Sequence, residues 1–273
     1  MTKTNVVGRS SRTPFKHWIL DAHLGRICGV LSTRSSIVPA KAEPFLCVDL
    51  CAGDGVETED HRASPHIITK HCNFLATRGF DVQSVFIERD MLTHESLRAN
   101  LPLAAERNYQ QVISGDAREY LVIPAVSNQA IFVNCDPNNV ANMPFIKGFA
   151  DSLTPTTTVT MTLGCNAGGI KKLKREDREK WFEYVQVMVG AMPSFHDAIL
   201  CSLKKDASQW AYLTRLPSKW AASEAASIEK NGNSMWPNGV EVATFRRGYL
   251  HFADMVKRLF LTKEEYENEL QPN

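Results

Sequence analysis

Four short apolar runs in this chain end in groups suited to holding a ligand: Asp49-Leu50-Cys51-Ala52-Gly53-Asp54-Gly55, Glu88, Gly115-Asp116-Ala117 and Asn134-Cys135-Asp136-Pro137. Gly53 and Gly55 lack a Cβ, so the chain can turn tightly there and a ligand can approach its backbone. Glu88, an acceptor only when ionised, can take both hydrogen bonds from a ribose diol. Asp116 can accept from an exocyclic amine. Together these groups suit an adenosine.

A phosphate is a poorer match. A dinucleotide site wants G-x-G-x-x-G leading straight into a helix N-terminus. Here Gly55 is followed by "VETEDHRASP". Asp54, Glu57, Glu59 and Asp60 would repel a pyrophosphate. A cofactor with a positive centre and no phosphate is accommodated more easily, and S-adenosylmethionine (SAM) has that property. A nicotinamide-dependent oxidoreductase is disfavoured for the same reason, and because the third glycine is missing.

Each of these residues also has a plainer role. Asp49 can cap the turn that follows it. Glu88 can serve as a carboxylate at a helix N-terminus, where the dipole favours it. Asp116 suits a turn of any kind, and Asp136 suits a helix start before Pro137. Glu57, Glu59, Asp60 and His61 are read as a solvated loop rather than a metal site. No metal is expected: the seven cysteines are odd in number, scattered and without a CxxC pair. The eight histidines form no HxH or HxxxH pattern, and each is read as structural.

These groups need elements to carry them. "PFKHWILDAHLGRICGVL" (14–31) has roughly helical apolar spacing. "FLCVDLC" is a short apolar run between Pro44 and Gly53, as a buried parallel strand should be. "SPHIITKHCNFLATRG" (64–79) reads as a helix capped by Ser64, with Pro65 in its first turn and Gly79 at its end. Strands are predicted at 82–88, 110–116, 129–137 and 156–164, with a helix at 89–101. Further helices are predicted in "NMPFIKGFADSL" and over 172–191. "DAILCSLKKDASQWAYLTRLP" (197–217) reads as a hairpin. Residues 218–273 read as a helix near 218–229, a loop "NGNSMWPNG" and a C-terminal helix from about 251. The expectation is an α/β fold with a Rossmann-like, mainly parallel sheet, helices on both faces, closed by an antiparallel C-terminal hairpin. It divides into an N-terminal tail and leading helix (1–44), a SAM-binding domain (45–217) and a C-terminal helical extension (218–273).

The 273 residues suffice for a packed core, and 44% apolar with 22% charged residues is ordinary for a globular protein. A net charge of +1 gives no global attraction to nucleic acid or membrane. No apolar run approaches the ~20 residues needed to cross a bilayer. The N-terminus is basic but lacks the apolar core of a secretory signal. The scattered cysteines point to free thiols in a reducing compartment, hence the cytoplasm. Basic residues gather locally. "KKLKREDREK" (171–180) holds six against three acidic, and residues 1–45 hold seven against two. The first is read as a solvated helix face with (i, i+4) pairs; the alternative is a phosphate-backbone contact.

In their order, "VDLCAGDG", "FIE", "GDA" and "NCDP" resemble the motif set of class I SAM-dependent methyltransferases. The closing hairpin fits the antiparallel strand of that fold. The chain is more similar still to the three-Cys-motif partner proteins, a bacterial methyltransferase-like group. "KHWILDAHL" resembles that group's leading helix, "ASPHIITKH" its Gly-Ser-Pro stretch, and "FVNCDPNNV" stands where it has an Asp-Pro-aromatic-Gly segment. The resemblance covers roughly residues 14–215. Amino-directed nucleic-acid methyltransferases carry an aromatic residue after the prolines; here Asp136-Pro137 is followed by Asn138-Asn139, and Cys135 precedes Asp136 rather than following a proline.

The resemblance implies methyl transfer from SAM. Asp49, Cys51, Ala52, Gly53, Asp54 and Gly55 would shape the methionine and ribose side. Glu88 would bind the diol, Asp116 and Ala117 the adenine, and Lys16 would close over the cofactor. Asn134 and Asp136 would face the acceptor, for which DNA or RNA is the expectation. The alternative is a methyltransferase-like binding module without catalysis, joined to a protein partner in a bacterial or phage defence or counter-defence complex.

Overall fold

A computed structural model describes residues 13–37, 44–57, 62–119, 130–135, 158–165, 197–203, 209–214 and 218–246. The predicted helices in 142–153 and 172–191, the C-terminal helix, the basic run 171–180 and Asp136 lie outside these residues. The chain forms two compact units, Met1–Asn138 with Thr156–Met161, and Asn139–Pro155 with Thr162–Asn273.

The first unit opens with helix α1 (Thr13–Ile37). Strand β1 (Phe45–Asp49) follows, then α2 (Ser64–Thr77), β2 (Val82–Glu88), α3 (Met91–Asn100), β3 (Asn108–Ser114) and β4 (Ala130–Cys135). The strands form a parallel sheet in the order β3-β2-β1-β4. Parallel pairing brings all four C-terminal ends to one edge. In register, Asp49 lies opposite both Phe86 and Asn134, and Glu88 lies opposite Ser114. This is the predicted Rossmann-like α/β architecture, a parallel sheet flanked by helices.

All five residues of β1 are buried, as a strand covered on both faces requires. Phe15, Ile19 and Leu24 of α1, Ile67, Ile68 and Leu75 of α2, and Phe45, Phe86 and Phe132 of the strands are fully buried. Each such side chain stabilises the fold by about 1.5–3 kcal/mol through lost contact with water. Helices α1 and α2 are also latched by charge. Asp21 accepts from Lys70 Nζ at 2.9 Å and pairs with His71 Nε2 at 2.6 Å. Gly25 permits this approach, because a Cβ there would stand 3.0 Å from His71 Cε1.

The N-terminus of α2 differs from the expectation. Ala63, not Ser64, occupies the cap position and no side chain caps the helix; Ser64 is inside the first turn with Pro65. Gly79 ends the helix as predicted, with φ 91°. Helix α3 is capped by Asp90, whose carboxylate accepts from the Thr93 N–H at 2.8 Å and the Thr93 hydroxyl at 2.7 Å.

Side-chain hydrogen bonds join α2 to the sheet. Ser84 donates to Asn108 Oδ1 at 2.8 Å, and Asn108 Nδ2 donates to Asn73 Oδ1 at 2.8 Å. Asn73 also accepts from the Ala105 N–H at 2.8 Å and donates to the Leu103 carbonyl at 3.0 Å. One α2 side chain thereby fixes the segment that leads into β3.

Strand β5 (Thr158–Cys165) divides between the units. In the second unit, β6 (Asp197–Leu203) pairs antiparallel with β7 (Gln209–Thr214), which is the predicted hairpin. Helix α4 (Ser218–Met235) and strand β8 (Val240–Arg246) follow. The helix extends past 229 into the predicted loop. Strand β8 is an addition to the helix-loop-helix reading of 218–273, and it pairs antiparallel with β6. Gly239, at φ 74°, makes the reversal between α4 and β8. No described helix is long and apolar enough to cross a membrane.

Candidate functional site

The strand ends of the first unit are laced together by backbone. The Leu50 N–H donates to the Asn134 carbonyl at 2.9 Å, Ala52 N–H to Ile87 at 3.1 Å, and Gly115 N–H to Glu88 at 3.1 Å. These bonds continue the sheet's pairing one step past the strands. They leave the glycine turn Ala52–Gly55 standing over the edge.

Asp49 lies at the base of this turn and is 0% exposed. Its Oδ1 accepts from Asn134 Nδ2 at 3.0 Å and from the Cys51 N–H at 3.4 Å. Burial pushes its carboxyl up to about 6; the Ser64 hydroxyl, Asn134, the Cys51 amide and the Lys16 charge oppose that rise. Ser64 is near enough to favour the ionised form, yet Oδ2 has no partner of hydrogen-bonding geometry. A buried carboxylate oxygen left open in this way is costly unless a ligand serves it.

Gly53 and Gly55 both have positive φ, 70° and 68°. A Cβ on Gly53 would meet nothing within 4 Å, so space is open beside the turn; one on Gly55 would stand 3.0 Å from Leu97 Cδ1 of α3. The two glycines therefore serve different needs, open space at one and close packing at the other. Asp54 Oδ1 accepts from the Val56 N–H at 3.0 Å, and its carbonyl accepts from Ser96 Oγ at 3.3 Å and Asn100 Nδ2 at 3.4 Å.

Glu88 is half-buried at the end of β2. Its Oε2 accepts from the Gly53 N–H at 3.0 Å, and its Oε1 from the Asp90 N–H at 2.9 Å. The acceptor expected for a ribose therefore already serves two backbone amides. Each of its oxygens retains a further lone pair.

Asp116 is half-buried, and its carbonyl receives the Glu119 N–H at 2.9 Å. Ala117 is buried and begins a short 3₁₀ turn, Ala117–Glu119. Half-buried Lys16 acts on Asp49 through its charge. Asp49, Cys51, Ala52, Gly53, Asp54, Gly55, Glu88 and Asn134 thus form one connected group. Asn134 joins that group through its bond to Asp49.

Sequence reading missed Ser64, Ser96, Leu97 and Asn100, which hold or line the turn. Only their placement in three dimensions, Ser64 beside Asp49 and the other three against Asp54 and Gly55, distinguishes them from ordinary helix residues. Glu57, read as part of a solvated loop, pairs with His66 Nδ1 at 3.2 Å and with Arg62 at 3.9 Å.

No protein-family model matches the chain, and no curated protein matches it. Solved structures do. Protein LPL1258 from Legionella pneumophila aligns with TM-score 0.54 at 10% identity, over 83% of this chain and 95% of that one. A probable spermidine synthase from Corynebacterium glutamicum aligns with TM-score 0.46 at 13% identity, over 88% and 79%. Precorrin-6y C5,15-methyltransferase from Geobacter metallireducens aligns with TM-score 0.38 at 11% identity, over 69% and 86%. The first of these establishes a shared fold.

Proposed function

We propose that this chain is a SAM-dependent methyltransferase whose donor site is the glycine turn of the first unit. The observation that carries the reading is Asp49: a fully buried carboxylate with one unserved oxygen, beside a turn with open space at Gly53. An unserved anionic oxygen calls for a cation or a donor, and the amino acid part of SAM carries an ammonium.

In this reading Asp49, Cys51, Ala52, Gly53, Asp54 and Gly55 shape the methionine and ribose side, and Glu88 accepts from the diol. Asp116 and Ala117 bound the adenine. Met91 and Leu92, 67% and 77% exposed just beyond Glu88, offer apolar surface at that end of the site. Lys16 closes over the cofactor and balances the charge of Asp49. When bound, SAM supplies an electrophilic methyl group. The chain's own contribution is to hold the acceptor in line with it, which is catalysis by positioning. Asn134 and Asp136 belong to the acceptor side.

The acceptor we favour is DNA or RNA. The basic residues of 1–45 and 171–180 support it, as local patches that offset a near-neutral chain. The motif order supports kinship with the three-Cys-motif partner proteins, and free buried thiols at Cys28, Cys47, Cys72 and Cys201 support a cytoplasmic setting. A second reading, a binding module acting with a protein partner in a defence or counter-defence complex, rests on the Asp136-Pro137-Asn138-Asn139 departure. Methyl transfer to a DNA or RNA mixture would decide against it.

Calorimetric titration with SAM tests the main reading. Wild type should bind, and Asp49→Asn and Asp116→Ala should each bind about tenfold or more weakly, the scale of a lost hydrogen bond to a charged group. Absence of wild-type binding would overturn it.

A further inference from the structure

Glu88 joins two segments far apart in sequence. Its Oε1 accepts from Asp90, two residues on, as any carboxylate before a helix can. Its Oε2 accepts from Gly53, thirty-five residues away and on the neighbouring strand's loop. The helix-end explanation covers the first bond and not the second.

The second bond falls where it matters. Beyond Ala52, whose N–H still pairs with Ile87, the sheet's ladder offers the turn nothing more. Gly53 then takes φ 70°, and glycine is the residue with the most backbone freedom to lose. Without a partner its N–H would turn to water and the turn would sample other conformations. A carboxylate supplies a charge-assisted bond, roughly twice as strong as a neutral one.

We propose that Glu88 is a positioning residue. It fixes the Gly53 turn before any ligand arrives, and so contributes to the affinity of every ligand of the site, whether or not that ligand carries a ribose diol. The proposal rests on the SAM reading for its ligand and on the Glu88–Gly53 bond for its geometry. Diol recognition and turn fixation are separable, since the first needs ligand hydroxyls and the second does not.

The test pairs a variant with a ligand change. S-adenosylhomocysteine and its 2′,3′-dideoxy analogue are titrated into wild type, Glu88→Gln and Glu88→Asp, and backbone amide exchange is followed without ligand. Glutamine has one acceptor oxygen and sets an amino group against the other N–H; aspartate keeps the charge but is one methylene short. We expect both variants to weaken the dideoxy analogue about tenfold, and the diol-bearing ligand by at least as much. We also expect exchange at the Gly53 amide to accelerate about tenfold or more, while the Gly79 amide keeps its rate. Loss confined to the diol-bearing ligand, or unchanged exchange at Gly53, would overturn the proposal. Equal acceleration at Gly53 and Gly79 would also overturn it, since that marks general loosening. If wild type binds neither ligand, the SAM reading fails, and the exchange at Gly53 still decides the tether.

Discussion

A carboxyl group shut away from water prefers to keep its proton, and Asp49 is such a group. Its pKa rises from an ordinary 3.8 to about 6 in the folded chain. Between those values the folded state holds a proton that the unfolded state has released. Stability from this group is therefore complete below pH 3.8 and is lost as pH rises through about 6. At roughly 1.4 kcal/mol per unit, the loss is about 3 kcal/mol at neutral pH. Asp49→Asn cannot ionise, so the melting temperature of wild type minus that of the variant should fall between pH 4 and pH 7. A flat difference would show that Asp49 does not titrate there. A bound cation favours the ionised form, so SAM affinity should climb as pH passes 6 in wild type and stay level in Asp49→Asn. Lys16 already supplies some of that attraction, so Lys16→Met should raise the pH at which affinity climbs.

At the scale of elements, the α1–α2 contact can be tested without touching the site. Gly25→Ala places a Cβ 3.0 Å from His71 Cε1, and His71 is held by Asp21. The ring has little room to give, so the variant should lose about 1–3 kcal/mol in urea unfolding, the usual cost of overpacking. Asp21 contributes through a pKa lowered to about 2 by His71 first and Lys70 second, against the pull of burial. Its contribution is present above pH 3.8 and is lost as pH falls toward 2. Asp21 is 38% exposed, so solvent screening limits it to about 1 kcal/mol or less. Ile68→Ala, fully buried on α2, should cost more, about 2–5 kcal/mol.

Elements of this kind were legible in sequence where local chemistry and tertiary packing agree. Strand β2 has its predicted bounds, because "VQSVFIE" alternates and Gly79 stops the helix before it. The cap of α2 was misread, because Ser64 has the right residue type but lies one position inside the helix, toward Asp49. Strand β8 was missed, because "VEVATFR" is short and follows Pro237-Asn238-Gly239, which looks like loop. In the site, Asp49, Gly53, Gly55 and Glu88 announce themselves by type and place at strand ends. The bond from Gly53 to Glu88 does not, since no local pattern reports a contact across thirty-five residues.

For the molecule as a whole, ligand linkage gives the simplest readout. If SAM binds only the folded chain, a concentration one hundred times its dissociation constant should add about 2.7 kcal/mol. In a chain of this size that is a rise of roughly 5–10 °C in melting temperature. An unchanged melting temperature at millimolar SAM would count against the site. Nucleic-acid binding, carried by patches in a chain of net charge +1, should weaken steeply with salt.

Asn73 reaches further than its size suggests. Its single side chain bonds Leu103, Ala105 and Asn108, so it sets which residue of the incoming chain begins β3. That strand closes one end of the sheet order and carries no charged residue, with Tyr109 on its exposed side. A neutral sheet edge that slips by one residue turns its apolar side chains outward and invites a strand from another molecule. Asn73→Ala should therefore reveal itself less as a lowered melting point than as light scattering during refolding, a loss of solitude rather than of shape.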